Sequence, residues 1–273
     1  MKLSNTMISF QDYASRGKMT VEEFINLCAG YSIDAVDILE YFWKDKSREV
    51  KEIPALLKNK GLDIGAFCVG NNFITVPEER QKQIEYVKEG IDTAAALGAS
   101  RLRIFGGSAN IPEGIRREDR IGIIINSIGK CIDHAKENNI TLVLENHGGV
   151  PVRSDEMLEI LKGVNSPCLK VNFDIGNFLG AGGEDPMEAA RVLYKYVDYI
   201  HAKDLAQSDD PEVKYEACVT GEGVVPVKEC LQFFKQKGYD GYVSLEYEAW
   251  VRMESMQGVE KSLDYLKRIL REI

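Results

Sequence analysis

Eight short β-rich runs recur along the 273 residues of this chain, each followed by a stretch with helical signals, and this alternation narrows the fold more than any other feature. The runs are read at Leu3–Phe10, Ala35–Leu39, Leu62–Val69, Arg101–Phe105, Thr141–Glu145, Leu169–Asp174, Tyr199–Lys203 and Gly241–Glu246. Between them, Thr20 and Glu23 form a capping-box pattern ahead of VEEFINLCAG, a reciprocal side chain–backbone arrangement that starts a helix. Ile84, Val87, Ile91 and Ala94 fall on one helical face. Further helices are expected over Arg117–Asn138, Ser154–Lys162, Pro186–Tyr196, Val227–Lys237 and Met253–Arg271, and Pro54 predicts a kink or a late start in REVKEIPALLKNKG. In NKGLDI, ALGASRL and QKGYDGY a glycine stands where a helix must end before the next strand. No Pro/Ser-rich linker, charge block or low-complexity segment divides the chain. The pattern therefore predicts one domain over residues 1–273, a single (β/α)8 TIM barrel. An open doubly wound sheet is the structural alternative.

Composition limits the partners. A net charge of −9 and a pI near 5.1 argue against nucleic acid or an anionic membrane surface. No apolar run approaches the roughly eighteen residues of a membrane span. The opening MKLSNTMISF lacks the unbroken apolar core of a signal peptide. Six cysteines without a CxxC pair read as reduced thiols, several of them buried. These features together give the expectation of a cytoplasmic protein acting on a small molecule, with a homo-oligomer left open.

In a (β/α)8 barrel the functional groups stand at the C-terminal strand ends. Here strand five ends LVLENHGG, strand six VNFDIGNF, strand seven YIHAKDL and strand eight VSLEYEAW. Each apolar run thus closes on a metal-binding side chain, namely Glu145, Asp174, His201 and Glu246. Three carboxylates meeting at one mouth would repel, and burial makes each more costly unless paired or coordinated. A divalent cation removes that repulsion. One imidazole with three carboxylates is a hard donor set, which favours Mn2+, with Mg2+, Co2+ or Zn2+ as substitutes, over a thiolate-type zinc site.

The ordered set LENHGG, FDIGN, HAKD, GEGVVP and GYDGYVSLEYE resembles the xylose isomerase-like barrel superfamily, in particular its sugar phosphate isomerase/epimerase group. That group includes ketose 3-epimerases, hydroxypyruvate isomerase and inosose isomerases, and the resemblance covers nearly the whole chain. It implies that Glu145, Asp174, His201 and Glu246 hold one divalent metal. It also implies that Glu145 and Glu246 act as acid and base, moving the proton α to a carbonyl through a metal-stabilised enediolate. The implied partner is a small carbohydrate, sugar phosphate or keto-polyol.

The chain departs from the ketose 3-epimerase pattern at two places. Asn177 stands where those enzymes usually carry histidine, and no arginine occurs between Arg191 and Arg252. Lys203 or Lys214 would have to replace the substrate arginine, without its bidentate fork. His147, two residues beyond Glu145, either meets substrate or orients its loop. Lys203 contacts substrate or pairs with a carboxylate, and Asn177 is expected beside the metal without binding it. Trp43, in the aromatic run after strand two, either faces a sugar or packs under the loops. Asp204 is read as a loop anchor, Glu222 as a solvated turn residue and His134 as structural. The rival reaction is a lyase of the inosose dehydratase type, which begins with the same proton abstraction. A DNA-repair endonuclease is disfavoured by three histidines and the acidic pI, and a non-catalytic sugar-binding barrel by the acid/base quartet.

Overall fold

The computed structural model describes all 273 residues. Eight parallel strands close into a barrel. They are β1 (Lys2–Thr6), β2 (Ala35–Leu39), β3 (Asp63–Cys68), β4 (Arg101–Ile104), β5 (Thr141–Glu145), β6 (Leu169–Asp174), β7 (Val197–Ala202) and β8 (Tyr242–Leu245). Each strand pairs with its sequence neighbours, and β8 returns to β1 through the register Leu3 with Val243 and Asn5 with Leu245. The (β/α)8 barrel is therefore the fold, and the open sheet is excluded by that closing pair. Register shifts interrupt the ladder at Val36/Asp37 and at Val171/Asn172.

An outer ring follows, with α1 (Val21–Ala29), α2 (Lys46–Lys60), α3 (Pro77–Leu97), α4 (Arg120–Glu137), α5 (Ser154–Val164), α6 (Pro186–Leu193), α7 (Val227–Gln236) and α8 (Ser255–Glu272). The capping box forms as the sequence indicates, Glu23 N donating to Thr20 Oγ1 at 3.1 Å and Thr20 N to Glu23 Oε2 at 2.7 Å. Helix α1 buries Val21, Phe24, Ile25 and Cys28, the spacing of one face laid on the strands. Because strands are covered by helices outside and by side chains inside, β2 is buried at every residue. A contiguous core of 69 buried apolar residues results.

Most boundaries shift by one to three residues from the sequence reading, and three differences have a clear structural reason. The first strand stops at Thr6, and Met7–Phe10 forms a 3-10 turn held across the mouth, with Tyr247 N donating to Ser9 Oγ at 3.0 Å. Helix α2 starts at Lys46 behind an Asp45 cap, eight residues ahead of Pro54, and runs through the proline. The seventh strand ends at Ala202, and Asp204–Gln207 leaves the barrel to pair antiparallel with Tyr215–Cys218. All six cysteines are free thiols, four of them buried. No helix is long and apolar enough to cross a membrane.

Candidate metal centre

The barrel converges the ends of β5 to β8. Glu145, Asp174, His201 and Glu246 each offer one ligand atom, and these atoms lie within 4.8 Å of one another. The four residues are 2%, 0%, 1% and 7% exposed, so solvent does not screen the three carboxylates from one another.

Local structure fixes each one. Asp174 caps the short helix Ile175–Leu179, its Oδ1 accepting from Asn177 N at 2.8 Å. The Asn146 side chain bridges β5 to β6, accepting from Asp174 N at 2.9 Å and donating to Asp174 O at 3.0 Å. On the facing side, Arg103 Nε lies 3.2 Å from Glu145 Oε2 and Asn172 Nδ2 donates to that oxygen at 3.1 Å. His201 Nδ1 lies 2.7 Å from Glu246 Oε2 but makes no hydrogen bond, so the contact is electrostatic and out of line with the imidazole N–H. Asp174 Oδ2 is likewise buried without a hydrogen bond. Two buried donor atoms of the same cluster thus lack hydrogen-bond partners, whereas buried polar atoms are nearly always satisfied. Such a set of three carboxylates and an imidazole fits a hard divalent cation.

Lys203 brings a cation to the side of the ring opposite Arg103. Its Nζ lies 2.6 Å from Glu246 Oε1, 2.8 Å from Glu248 Oε2 and 3.4 Å from Asp174 Oδ2. Burial works against the charged ammonium, but the attraction of Asp174, Glu246 and Glu248 outweighs it and raises the lysine well above its usual pKa. Burial also favours the neutral form of Glu246, yet Lys203 and His201 hold it well below the carboxylate range. Asp174 is pushed up to about 7, chiefly by burial, against the pull of Lys203. For His201, burial favours the neutral ring, but Glu246 and Glu145 prevail and raise it to about 9.

The other sequence candidates separate in space. His147 is exposed, its ring 4.6 Å from that of Phe105, and it lines a cavity that also contains Glu145. Asn177 sits at the ligands but spends Nδ2 on Asn146 O at 3.0 Å, with Oδ1 3.4 Å from Lys203. Trp43 packs 6.0 Å from Phe67 and is not among the residues lining that cavity. Asp204 anchors the loop after β7 by accepting from the backbone of Gly221, Gly223, Val225 and Leu205. Glu222 is exposed, and His134 pairs with Asp92 on the outer helices.

Sequence reasoning missed Arg103, Asn172, Asp37 and Glu248. Arg103 and Asn172 alternate with apolar neighbours on their strands, so period-two reading of the inward face would have found them. Asp37 is the one charge in AVDIL, a strand buried throughout. Glu248 lies two residues beyond Glu246, on the same side of an extended chain.

The comparisons with known proteins agree with this architecture. The chain is 29% identical over 200 residues to the uncharacterised protein MJ1311 of Methanocaldococcus jannaschii, covering 70% of this chain and 63% of that relative, under two thirds of its length. It is 20% identical over 227 residues to an inosose dehydratase of Clostridium botulinum, covering 74% of each. A D-tagatose 3-epimerase-like protein of known structure superposes with a TM-score of 0.82 at 20% identity, over 99% of this chain and 97% of that one. A family description, xylose isomerase-like TIM barrel, matches residues 25–269. With the barrel closed and that match spanning nearly all of it, the chain belongs to the xylose isomerase-like TIM barrel family.

Proposed function

We propose that this protein is a divalent-metal-dependent isomerase or epimerase of a small carbohydrate or keto-polyol, working by removal of the proton α to a carbonyl. The observation that carries the reading is the buried Glu145, Asp174, His201 and Glu246 cluster, with Asp174 Oδ2 and His201 Nδ1 lacking hydrogen bonds. These four residues would hold the cation, with Mn2+ ranked first and Mg2+ or Co2+ next on the hardness of the donors. When bound, the cation supplies Lewis-acid charge to the carbonyl and hydroxyl oxygens of the reacting carbons.

The remaining work falls to the chain. Glu145 has Oε2 fixed by Arg103 and Asn172, while no protein group bonds Oε1 in the cavity beside it. That oxygen is the base on one side of the substrate. Glu246, from the far side of the barrel, is the acid/base on the other. Lys203 keeps Glu246 ionised and aimed inward, and Asn177 steadies Asp174 and Lys203. His147 meets the substrate beyond Glu145. Packing against Phe67 is the role the geometry supports for Trp43. Return of the proton to the neighbouring carbon is isomerisation, and return to the opposite face is epimerisation.

The similarity to an inosose dehydratase favours a second reading, in which proton removal is followed by loss of water. Incubation of Mn2+-loaded protein with ketoses and keto-polyols in D2O, followed by NMR, separates the two. Deuterium entering at the α carbon with the skeleton intact supports the isomerase or epimerase, and loss of water supports the dehydratase. Metal-loaded protein that exchanges no α-proton in any member of the panel would count against both.

A further inference from the structure

We propose that the substrate is uncharged, a polyhydroxy carbonyl compound without phosphate, and that its hydroxylated tail lies on the Glu145 side of the mouth against Phe105, Asn72, Ser108 and His147. This rests on the carbohydrate reading above and names the substrate class within it.

A cavity of about 230 Å3 opens beside Glu145. Its wall joins the segment after β3, the segment after β4 and the loop after β5, and the last two are tied by an antiparallel ribbon pairing Gly107 with Val150 and Ser108 with Gly149. The ribbon requires glycine. A Cβ on Gly107 would come 2.2 Å from Ile74 Cγ1, and one on Gly149 would come 2.0 Å from Gly107 O. The wall is therefore a built surface whose closeness depends on missing side chains.

Its polar groups divide into spent and unspent. The Asn71 amide is spent on the backbone of Phe105 in both directions, at 2.7 and 3.0 Å. Asn72 Oδ1 accepts from Ile74 N at 3.0 Å and from Ser108 N at 3.1 Å, and Gly149 N is taken by His147 O. Ser108 Oγ accepts from Asn110 N at 3.1 Å, so what remains for a ligand is the Asn72 amide N–H, the Ser108 O–H donor and the His147 ring, set beside the apolar face of Phe105. These are neutral donors and acceptors of the kind that read hydroxyl groups.

Charge decides against an anion. The sole charged side chain of this wall is the carboxylate of Glu145. Both cations of the inner mouth are committed, Arg103 to Glu145 and Val69 O, and Lys203 to Asp174, Glu246 and Glu248. With His201 neutral as a ligand, four carboxylates against these two cations leave about the deficit that one divalent cation would fill. A phosphate, carrying roughly −1.5 to −2 charges, would then meet no unmatched cation and would face Glu145. The wall amides of Ser108 and Gly149 that could have cradled it are already bonded. Positive side chains without an ion pair occur on the β8–β1 side of the mouth, where exposed Arg16 and Lys18 line a depression with Asp12, Glu254 and Arg252, the last paired to Glu216.

The test uses full-length Mn2+-loaded protein and matched pairs of ketoses with and without a terminal phosphate, reading binding by calorimetry and α-proton exchange by NMR. The unphosphorylated member should bind and react at least about tenfold better, the penalty of an unpaired buried charge falling on its partner. Ser108→Ala should raise KM for it several-fold with kcat little changed, while the double variant Arg16→Ala/Lys18→Ala should alter neither member. Preference for the phosphorylated member, abolished in Arg16→Ala/Lys18→Ala, would overturn the proposal while leaving the reaction class intact. Binding of neutral ketoses without proton exchange would sink the reaction class and leave this inference standing. Binding of neither series would end both.

Discussion

Two aspartates lie wholly buried inside this barrel, and the fold treats them in opposite ways. Asp37, in the middle of β2, accepts from Ser4 Oγ at 2.9 Å, from the Tyr199 hydroxyl, and from Ser244 Oγ at 2.7 Å. Space for this arrangement comes from Gly65, where a Cβ would come 2.2 Å from the Tyr199 hydroxyl oxygen and 2.6 Å from Asp37 Oδ1. Asp174, at the end of β6, has Oδ1 occupied by the Asn177 amide and Oδ2 without a hydrogen bond. Burial raises both carboxyls. A buried acceptor without a hydrogen bond costs about 1–3 kcal/mol, and Asp174 Oδ2 has only the 3.4 Å ion pair to Lys203, beside an imidazole nitrogen that faces a carboxylate without a hydrogen bond, an arrangement that a cation would complete. Asp37 is thus satisfied by the barrel's own hydroxyls and backs His201 from 3.9 Å, whereas Asp174 presents an oxygen free to ligate.

The largest effect should appear where the ligating site does chemistry. Glu145→Gln and Glu246→Gln keep size and one ligand oxygen but remove the basic carboxylate, and each should lower turnover by about 10²–10⁴-fold. Asp37→Asn, one layer below with its carboxylate 3.9 Å from His201 Nε2, should cost less, about 10–100-fold in turnover. In an epimerase, each glutamine variant should still exchange the α-proton of one epimer in D2O and fail on the other. In a one-base isomerase, one variant loses all exchange and the other keeps much of it. Parental turnover in both glutamine variants with metal bound would erase the distinction between the two layers.

Most of the barrel was legible because period and punctuation are local. Ala35–Leu39, Thr141–Glu145 and Leu169–Asp174 carry their boundaries in the sequence, and Glu145, Asp174 and His201 stand at strand ends where an isolated charge after an apolar run is visible. Partnership was not legible. Arg103 meets Glu145 across 42 positions of sequence and Tyr199 meets Asp37 across 162, and no local pattern encodes such distances. For Lys203 the sequence left substrate contact and carboxylate pairing open, because its three carboxylate partners come from strands that only barrel closure brings together. The turn over Met7–Phe10 escaped for the same reason, since Ser9 is held by Leu245 O and Tyr247 N from the other end of the chain.

A second effect should appear as a pH slope in chelator-treated protein. Asp174, raised by burial from 3.8 to about 7, binds its proton more tightly when folded, so its stabilisation is complete below about pH 4 and is lost as pH rises to about 7. His201 is raised from 6.5 to about 9 because Glu246 and Glu145 outweigh burial, and its contribution is full below about pH 6.5 and gone above about 9. Glu246 acts oppositely, but its depressed value confines that loss to acid below the carboxylate range. Melting in EDTA should therefore fall from about pH 5 to pH 9, by on the order of a few kcal/mol in stability. Mn2+ should cancel or reverse the slope, because binding releases both protons. A flat profile in EDTA would show that the two groups are not held as the geometry implies.

The smallest effect divides the two aspartates by sign. Asp37→Asn preserves volume but turns an acceptor serving hydroxyls from β1, β7 and β8 into a donor, and should cost about 1–3 kcal/mol. For a chain of this length that is a fall of roughly 2–4 °C in Tm per kcal/mol. Asp174→Asn keeps the oxygen that accepts from Asn177 N and removes the unbonded one, while Lys203 retains Glu246 and Glu248. At pH 8 in EDTA its stability should stay within about 1 kcal/mol of the parent, or rise, since a buried charge whose burial cost exceeds the pull of Lys203 is gone. Addition of Mn2+ should then reverse the ranking. The parent and Asp37→Asn gain stability by mass action as the cation fills its site, whereas Asp174→Asn gains little at the same concentration. Calorimetric melts of the three proteins with and without Mn2+ decide the matter. A larger loss for Asp174→Asn than for Asp37→Asn in EDTA would break the comparison, because it would make Asp174 as much a part of the barrel's own framework as Asp37.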